Sequence, residues 1–208
     1  RGCHCGANFV TMDLLPIALV AAATAFLAAM AGGYRRIDWT NRGAPRNPGT
    51  FTPQGVTLHY AAGTKGGDPE DVLYQTSKLG YSYHYLVDRD GTTYQLVPDD
   101  QGSVHTDGTR NRTSYGIGFL NIGPAQLERP GWPYAPIPGS YPEWPGAYWE
   151  PYTQDQLASA AALIRRLGAD PTWYLIGHQD VNSGKSDPGP AFPWSEFERL
   201  TGLKRGLS

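Results

Sequence analysis

The sequence predicts an α/β fold: a mixed central β-sheet flanked by helices, with an N-terminal hydrophobic helix ahead of it. Three observations predict this. Short β-prone runs alternate along the chain with segments that carry helix caps, and such interleaving packs helices onto a sheet. The chain holds 26 Gly and 18 Pro among 13 Tyr and 6 Trp, which points to long, ordered, aromatic loops rather than a helical bundle. An uncharged, Ala-rich stretch precedes the body. The length of 208 residues suits one or at most two domains, and 40% hydrophobic residues can build a core.

The elements follow in order. Leu14–Gly33 reads "LLPIALVAAATAFLAAMAGG" and is about as long as a bilayer-spanning helix. Met12 is read as the native start, with residues 1–11 as upstream translation. Ala29-Met30-Ala31 has the form of a signal-peptide cleavage site, although Asp13 stands where a basic residue is expected. Arg35 and Arg36 follow, and as a membrane anchor the segment would leave the body on the cytoplasmic side. A buried core helix is the third reading. Residues 1–33 thus form a tail with a signal- or anchor-like segment, through which the chain would be exported or held at a membrane. Residues 34–54, rich in Gly, Pro, Arg and Asn, read as a linker and leading edge. Residues 55–208 form the main domain.

Within that domain, "GVTLHY" (55–60) alternates as a strand does. "GDPEDVLYQTSKLG" supplies Asp68 as N-cap, Pro69 in the first turn and Gly80 as a stop. "YHYLVDRDGTTYQLV" is a hairpin around Asp88-Arg89-Asp90-Gly91. "SYGIGFLNIG" is a strand. In "TQDQLASAAALIRRLG", Thr153 and Gln156 make a capping-box pattern and Gly168 ends the helix. "TWYLIG" is a buried strand, and "PWSEFERLTG" closes with a short helix.

Composition excludes several functions. The net charge is −2, with 17 Lys and Arg spread along the chain, so no basic face for nucleic acid is expected. Both cysteines, Cys3 and Cys5, lie in the N-terminal tail. Cys3-His4-Cys5 is either incidental or a weak metal site. No thiol chemistry and no all-cysteine metal site is therefore expected in the body. There is no Gly-x-Ser-x-Gly elbow and no phosphate-cradling glycine loop.

Chemistry concentrates on histidine. His59 and His178 each stand at or just after the end of an expected strand, where α/β proteins place ligands. Asp187 follows nine residues after His178, across the loop "GHQDVNSGKSDPGPAFPW". That loop is able to fold back and bring Asp187 to the same point. A His-His-Asp set leaves a fourth zinc position open, which is the catalytic arrangement. The alternative is that Asp187 only caps the turn before Pro188.

The blocks "LHY", "YSYHYLVDRDGTTYQLVPDD", "VHTDGTRNRTSYGIGFLN", "TQDQLASAAALIRRL" and "GHQDVNSGKSDPGPAFPW", in this order between Gly55 and Leu200, resemble the zinc-dependent N-acetylmuramoyl-L-alanine amidases. These include bacterial and phage cell-wall amidases, and they are similar to the animal peptidoglycan recognition proteins. The resemblance implies zinc held by His59, His178 and Asp187, and hydrolysis of the amide between N-acetylmuramic acid and L-alanine in peptidoglycan. It implies that Tyr83 orients or deprotonates the attacking water and that Lys185 stabilises the oxyanion, with His105 on a loop facing the groove and in contact with substrate or transition state. Each has a plainer alternative: core packing for Tyr83, a solvated charge for Lys185, a surface position for His105. His84 is read as structural and Asp180 as a turn residue. Asn111 and Asn121 are candidate substrate contacts. Gly118 stands where many members of the family carry a Glu able to act as base, which moves weight onto Tyr83 and Lys185. Gly123–Tyr152, with three Trp, four Tyr and eight Pro, is either a groove wall or a loop packed on itself. A muramyl-peptide recognition module without activity is the second functional reading, and a zinc amide hydrolase of small substrates the third. A monomer is expected.

Overall fold

The computed structural model describes residues 35–62, 67–125, 137–139 and 147–207. The hydrophobic segment 14–33, and with it the expected N-terminal helix, lies outside the described residues. Among the described residues, no helix is long and apolar enough to cross a membrane.

Six strands form the main sheet: β1 (Arg36–Asp38), β3 (Gly55–Tyr60), β4 (Tyr85–Val87), β5 (Thr93–Gln95), β7 (Ser114–Phe119) and β11 (Tyr174–Gly177). Their spatial order is β1-β5-β4-β7-β3-β11. Strands β4, β7, β3 and β11 run parallel, while β5 is antiparallel to β4 and parallel to β1. This is the mixed sheet that the sequence predicts. The segment 34–54 takes a definite form as a leading edge: β1 closes one side of the sheet, and β2 (Arg46–Asn47) pairs with β6 (Gly102–Ser103). Strands β8 (Pro124–Ala125), β9 (Ile137–Gly139) and β10 (Ala147–Trp149) make a separate antiparallel sheet.

The local signals act where the sequence places them. Helix α1 (Pro69–Lys78) starts at Asp68, whose carboxylate accepts from the amides of Glu70 and Asp71, and Gly80 beyond its end has φ 78°. A four-residue helix α2 (Arg110–Thr113) leads into β7. Helix α3 (Gln154–Arg166) carries the full Thr153–Gln156 capping box. Helix α4 (Trp194–Thr201) ends at Gly202 in the left-handed region.

Helices cover both faces of the sheet. On one face, Leu157, Ala160, Leu163 and Ile164 of α3 and Phe197 of α4 pack against Val56, Leu58, Ile117 and Phe119. On the other, Val72 and Leu73 of α1 meet Leu86, Leu96 and Leu120. β3 is therefore buried almost throughout. Of its polar positions, His59 faces a cleft, and the buried Thr57 hydroxyl bonds the Ser114 hydroxyl at 2.9 Å.

Candidate active site

Sheet register brings the two histidines together. β3 and β11 are parallel neighbours with Leu58 opposite Gly177, so the next residue of each chain segment, His59 and His178, stand side by side. Their rings lie 4.9 Å apart at 75°. The chain then makes a single 3-10 turn, His178–Asp180, and loops back. The Gln179 amide donates to the Asp187 carbonyl at 3.0 Å. The Asp187 carboxylate oxygen Oδ2 lies 2.6 Å from His59 Nδ1 and 3.3 Å from His178 Nδ1. One ligand atom from each of the three residues falls within 4.8 Å of the others, and all three are buried. The Asp187–Pro188 bond is cis. Asp187 thus faces the histidines and does not act as a cap on its own turn. Asp180 holds the turn, as expected: it accepts from the Gly177 amide at 2.9 Å and from Arg205 at 2.6 and 3.2 Å.

The electrostatics suit a cation. Burial pushes the His59 pKa down, and the nearby Asp187 only partly opposes this. Burial pushes Asp187 up, but its close side-chain contacts with His178 and His59, and the charge these rings can carry, outweigh it and hold the carboxyl below its usual range. Two imidazole nitrogens and an ionised carboxylate therefore converge, and that donor set fits a divalent metal ion of the borderline class.

Strand β7 lies beneath two of the side chains that line the cleft, and its two glycines make room for them. A Cβ on Gly116 would stand 2.5 Å from His105 Cγ. A Cβ on Gly118 would stand 3.0 Å from Leu86 Cδ2 and 3.1 Å from the Tyr83 ring. Each missing side chain is thus replaced by an incoming ring. Gly118 lies opposite His59 in the ladder, and the Tyr83 ring sits 5.1 Å from the His59 ring. Burial, with Asp187 and Tyr60 close by, raises the Tyr83 pKa far above its usual value.

His105 is not a surface residue. It borders the cleft, but its ring is buried and both nitrogens have protein partners. Nδ1 lies 3.1 Å from His59 Nε2 and 2.6 Å from the Thr106 hydroxyl, and Nε2 lies 3.2 Å from the Ser114 carbonyl. Burial, then the neighbouring His59, hold its pKa well below the usual value, so the ring is neutral. His84 is structural, as read. Its Nδ1 accepts from the Gly116 amide and the Ser103 hydroxyl, and Nε2–H donates to the Gln101 carbonyl.

Lys185 borders the same cleft, of about 450 Å³, together with His59, Tyr83, His178 and Asp187. The two asparagines have other work. Asn111 Oδ1 accepts from the amides of His105 and Thr106 at 2.9 and 2.8 Å and so fixes that loop. Asn121 bonds the Gly123 amide and the Glu150 carbonyl. Most of 126–146 lies outside the described residues, and with it most of the proposed groove wall, but Trp149 and Tyr152 belong to the core. Beside them is a feature that the sequence did not reveal. Buried Glu150 receives two bonds from Arg89, at 2.5 and 2.9 Å, and one from the Ile122 amide at 2.7 Å. A lone carboxylate within the aromatic run "AYWEPY" was the available signal.

Comparison with known proteins agrees with this geometry. The chain is 27% identical over 157 residues to the 1,6-anhydro-N-acetylmuramyl-L-alanine amidase AmpD of Enterobacter cloacae, covering 74% of each chain. Among solved structures, the endolysin amidase LysCS of Clostridium intestinale superposes with a TM-score of 0.54 at 18% identity, over 83% of this chain and 98% of that one. Bumblebee PGRP-SA gives 0.53 at 20% identity, over 81% and 96%. These two likenesses concern the fold. The N-acetylmuramoyl-L-alanine amidase family model matches residues 49–190, a span that holds both histidines, Asp187, Tyr83, His105 and Lys185; the chain belongs to the N-acetylmuramoyl-L-alanine amidase family.

Proposed function

We propose that this protein is a zinc-dependent N-acetylmuramoyl-L-alanine amidase of peptidoglycan. The observation that carries this reading is the convergence of His59, His178 and Asp187, within 4.8 Å of one another, at a cleft that Lys185 and Tyr83 also border. In the reaction, water cleaves the amide between the lactyl carbonyl of N-acetylmuramic acid and the nitrogen of L-alanine, giving a carboxylic acid and a free amine.

His59 and His178, through Nδ1, and Asp187, through its carboxylate, would hold the zinc. When bound, zinc polarises the scissile carbonyl and makes water a better nucleophile near neutral pH. The side chains supply the rest. Lys185 brings a cation to the carbonyl oxygen as negative charge develops there, in a partly enclosed cleft where such charge is poorly screened. Tyr83 offers its O–H to the same reacting centre. Gly118 leaves that ring its place, so no carboxylate from β7 takes part. The protein would act as a monomer, and the segment 14–33 would export it or tether it where cell wall is reached.

Digestion of purified peptidoglycan tests the function. New amino groups from L-alanine are expected, without new reducing sugar ends. The same cleavage assayed on a 1,6-anhydro-muramyl peptide asks whether the substrate for which the Enterobacter cloacae relative is named is also taken. A chelator should stop the reaction and zinc restore it, and His59→Ala should be inactive. Reducing ends alone would contradict an amidase. Tight muramyl-peptide binding without cleavage, with zinc present, would establish the recognition reading instead.

A further inference from the structure

We propose that His105 is a positioning residue that acts through His59: it accepts the His59 Nε2–H and so leaves Nδ1 of His59 as the metal-facing nitrogen. The inference rests on the zinc reading above and assigns His105 a role other than contact with substrate.

The hydrogen bonds fix the direction. The Ser114 carbonyl can only accept, and it lies 3.2 Å from His105 Nε2. Nε2 of the neutral ring therefore carries the proton, and Nδ1 is the acceptor. Two groups face that lone pair: the Thr106 hydroxyl at 2.6 Å and His59 Nε2 at 3.1 Å. On this reading His59 carries its proton on Nε2, since an unprotonated Nε2 would set two lone pairs face to face at 3.1 Å. Its other nitrogen, Nδ1, is left with a lone pair directed at Asp187 Oδ2, 2.6 Å away. With His178 Nδ1 3.3 Å from the same oxygen, the Nδ1 lone pairs of both histidines and the Asp187 carboxylate would be directed at one metal ion.

The surroundings are built to hold His105 in this pose. Gly116 gives its ring the space that any Cβ would fill. Asn111 pins the backbone amides of His105 and Thr106. The two imidazoles meet edge to face, with centroids 5.2 Å apart at 84°. A partner on the outer nitrogen of a metal-binding histidine orients the ring and sets its tautomer, and loss of such a partner typically weakens metal binding by about 10–100-fold. A neutral imidazole in this place does so without adding a second negative charge beside Asp187.

Zinc affinity, measured by competition with a chromophoric chelator, tests the proposal on the full chain. His105→Phe keeps a ring but removes the acceptor, and its zinc affinity should fall by about 10–100-fold. His105→Gln restores an acceptor and should recover most of the loss. Equal zinc affinity in the wild type and His105→Phe, with activity lost in the variant, would overturn the proposal and make His105 a substrate contact. Failure of the wild type itself to bind zinc would remove the metal reading and this proposal with it. If the variants do not fold, the imidazole nitrogen chemical shifts of the zinc-loaded wild type decide. A proton on Nε2 of both His59 and His105 is expected, and a proton on Nδ1 of His105 would overturn the assignment.

Discussion

The two faces of strand β7 are built by opposite rules. Tyr115, Ile117 and Phe119 fill one face with large buried side chains, and Phe119 alone meets Tyr152, Phe192 and Phe197 edge-on or tilted. Gly116 and Gly118 leave the other face bare, so that the rings of His105 and Tyr83 arrive from elsewhere in the chain. The first face contributes stability through its own atoms. The second contributes function through volume left empty. A six-residue strand thus serves as core wall and as the support for two cleft-lining rings, and substitutions on its two sides should separate stability from metal binding.

The largest stability effect is expected on the filled face. Phe119→Ala should lower unfolding stability by about 3–5 kcal/mol, while zinc affinity of the folded protein stays within about threefold of wild type, as chelator titration would show. A large loss of zinc affinity would mean that the two faces are not independent. Next comes a change that leaves β7 intact: Lys185→Ala should lower kcat by about 10²–10³-fold, the cost of removing one oxyanion donor, with no change in thermal stability. Gly116→Ala sharpens the comparison directly. It adds one methyl 2.5 Å from His105 Cγ, and overpacking of this kind costs about 1–3 kcal/mol. It should also weaken zinc binding, whereas Ile117→Val, one residue along and facing the core, should cost about 0.5–1.5 kcal/mol and leave zinc binding unchanged.

The smallest effect per step is on pH. Burial pushes the pKa of His84 from 6.5 down to about 3, so between those values the unfolded chain binds the proton that the folded chain refuses. Stability of the metal-free protein should therefore fall as pH drops through that window, by up to about 1.4 kcal/mol per pH unit from this group. Denaturant unfolding at stepped pH measures the slope, and a flat profile would mean that His84 is protonated in the fold.

The difference between the faces also explains what the sequence disclosed. Helix caps at Asp68 and Thr153, the Asp88–Gly91 turn and the strand endings at His59 and His178 are local signals, and each acts where it stands. The ligand set was legible because strand ends and a Pro-stiffened return are written in short stretches. The role of the β7 glycines was not. Gly118 read as a missing base, yet its role depends on Tyr83, 35 positions earlier in the chain and brought over it by the β4–β7 pairing. A Cβ at 118 would already press on that ring and on Leu86, at 3.1 and 3.0 Å, so the glycine and Tyr83 are matched to each other. His105 read as a groove-facing loop residue because nothing local shows that Gly116 has made space for it, or that Asn111 ties it down. Asn111 and Asn121 looked available to substrate for the same reason: their partners are backbone groups of loops that only the fold brings near. The Arg89–Glu150 pair, 61 residues apart, left no mark beyond an isolated charge in an aromatic run.

X-ray absorption at the zinc edge, on the full chain loaded with one equivalent of zinc, would show which side chains hold the metal. Two candidate metal sites exist in the sequence, the His59–His178–Asp187 set and the Cys3-His4-Cys5 run, and they differ in donor chemistry. A first shell of nitrogen and oxygen only is expected, at about 2.0–2.1 Å, with imidazole scattering that His59→Ala reduces. A sulfur shell at about 2.3 Å, or a spectrum unchanged by His59→Ala, would place the metal elsewhere and contradict zinc binding by His59, His178 and Asp187.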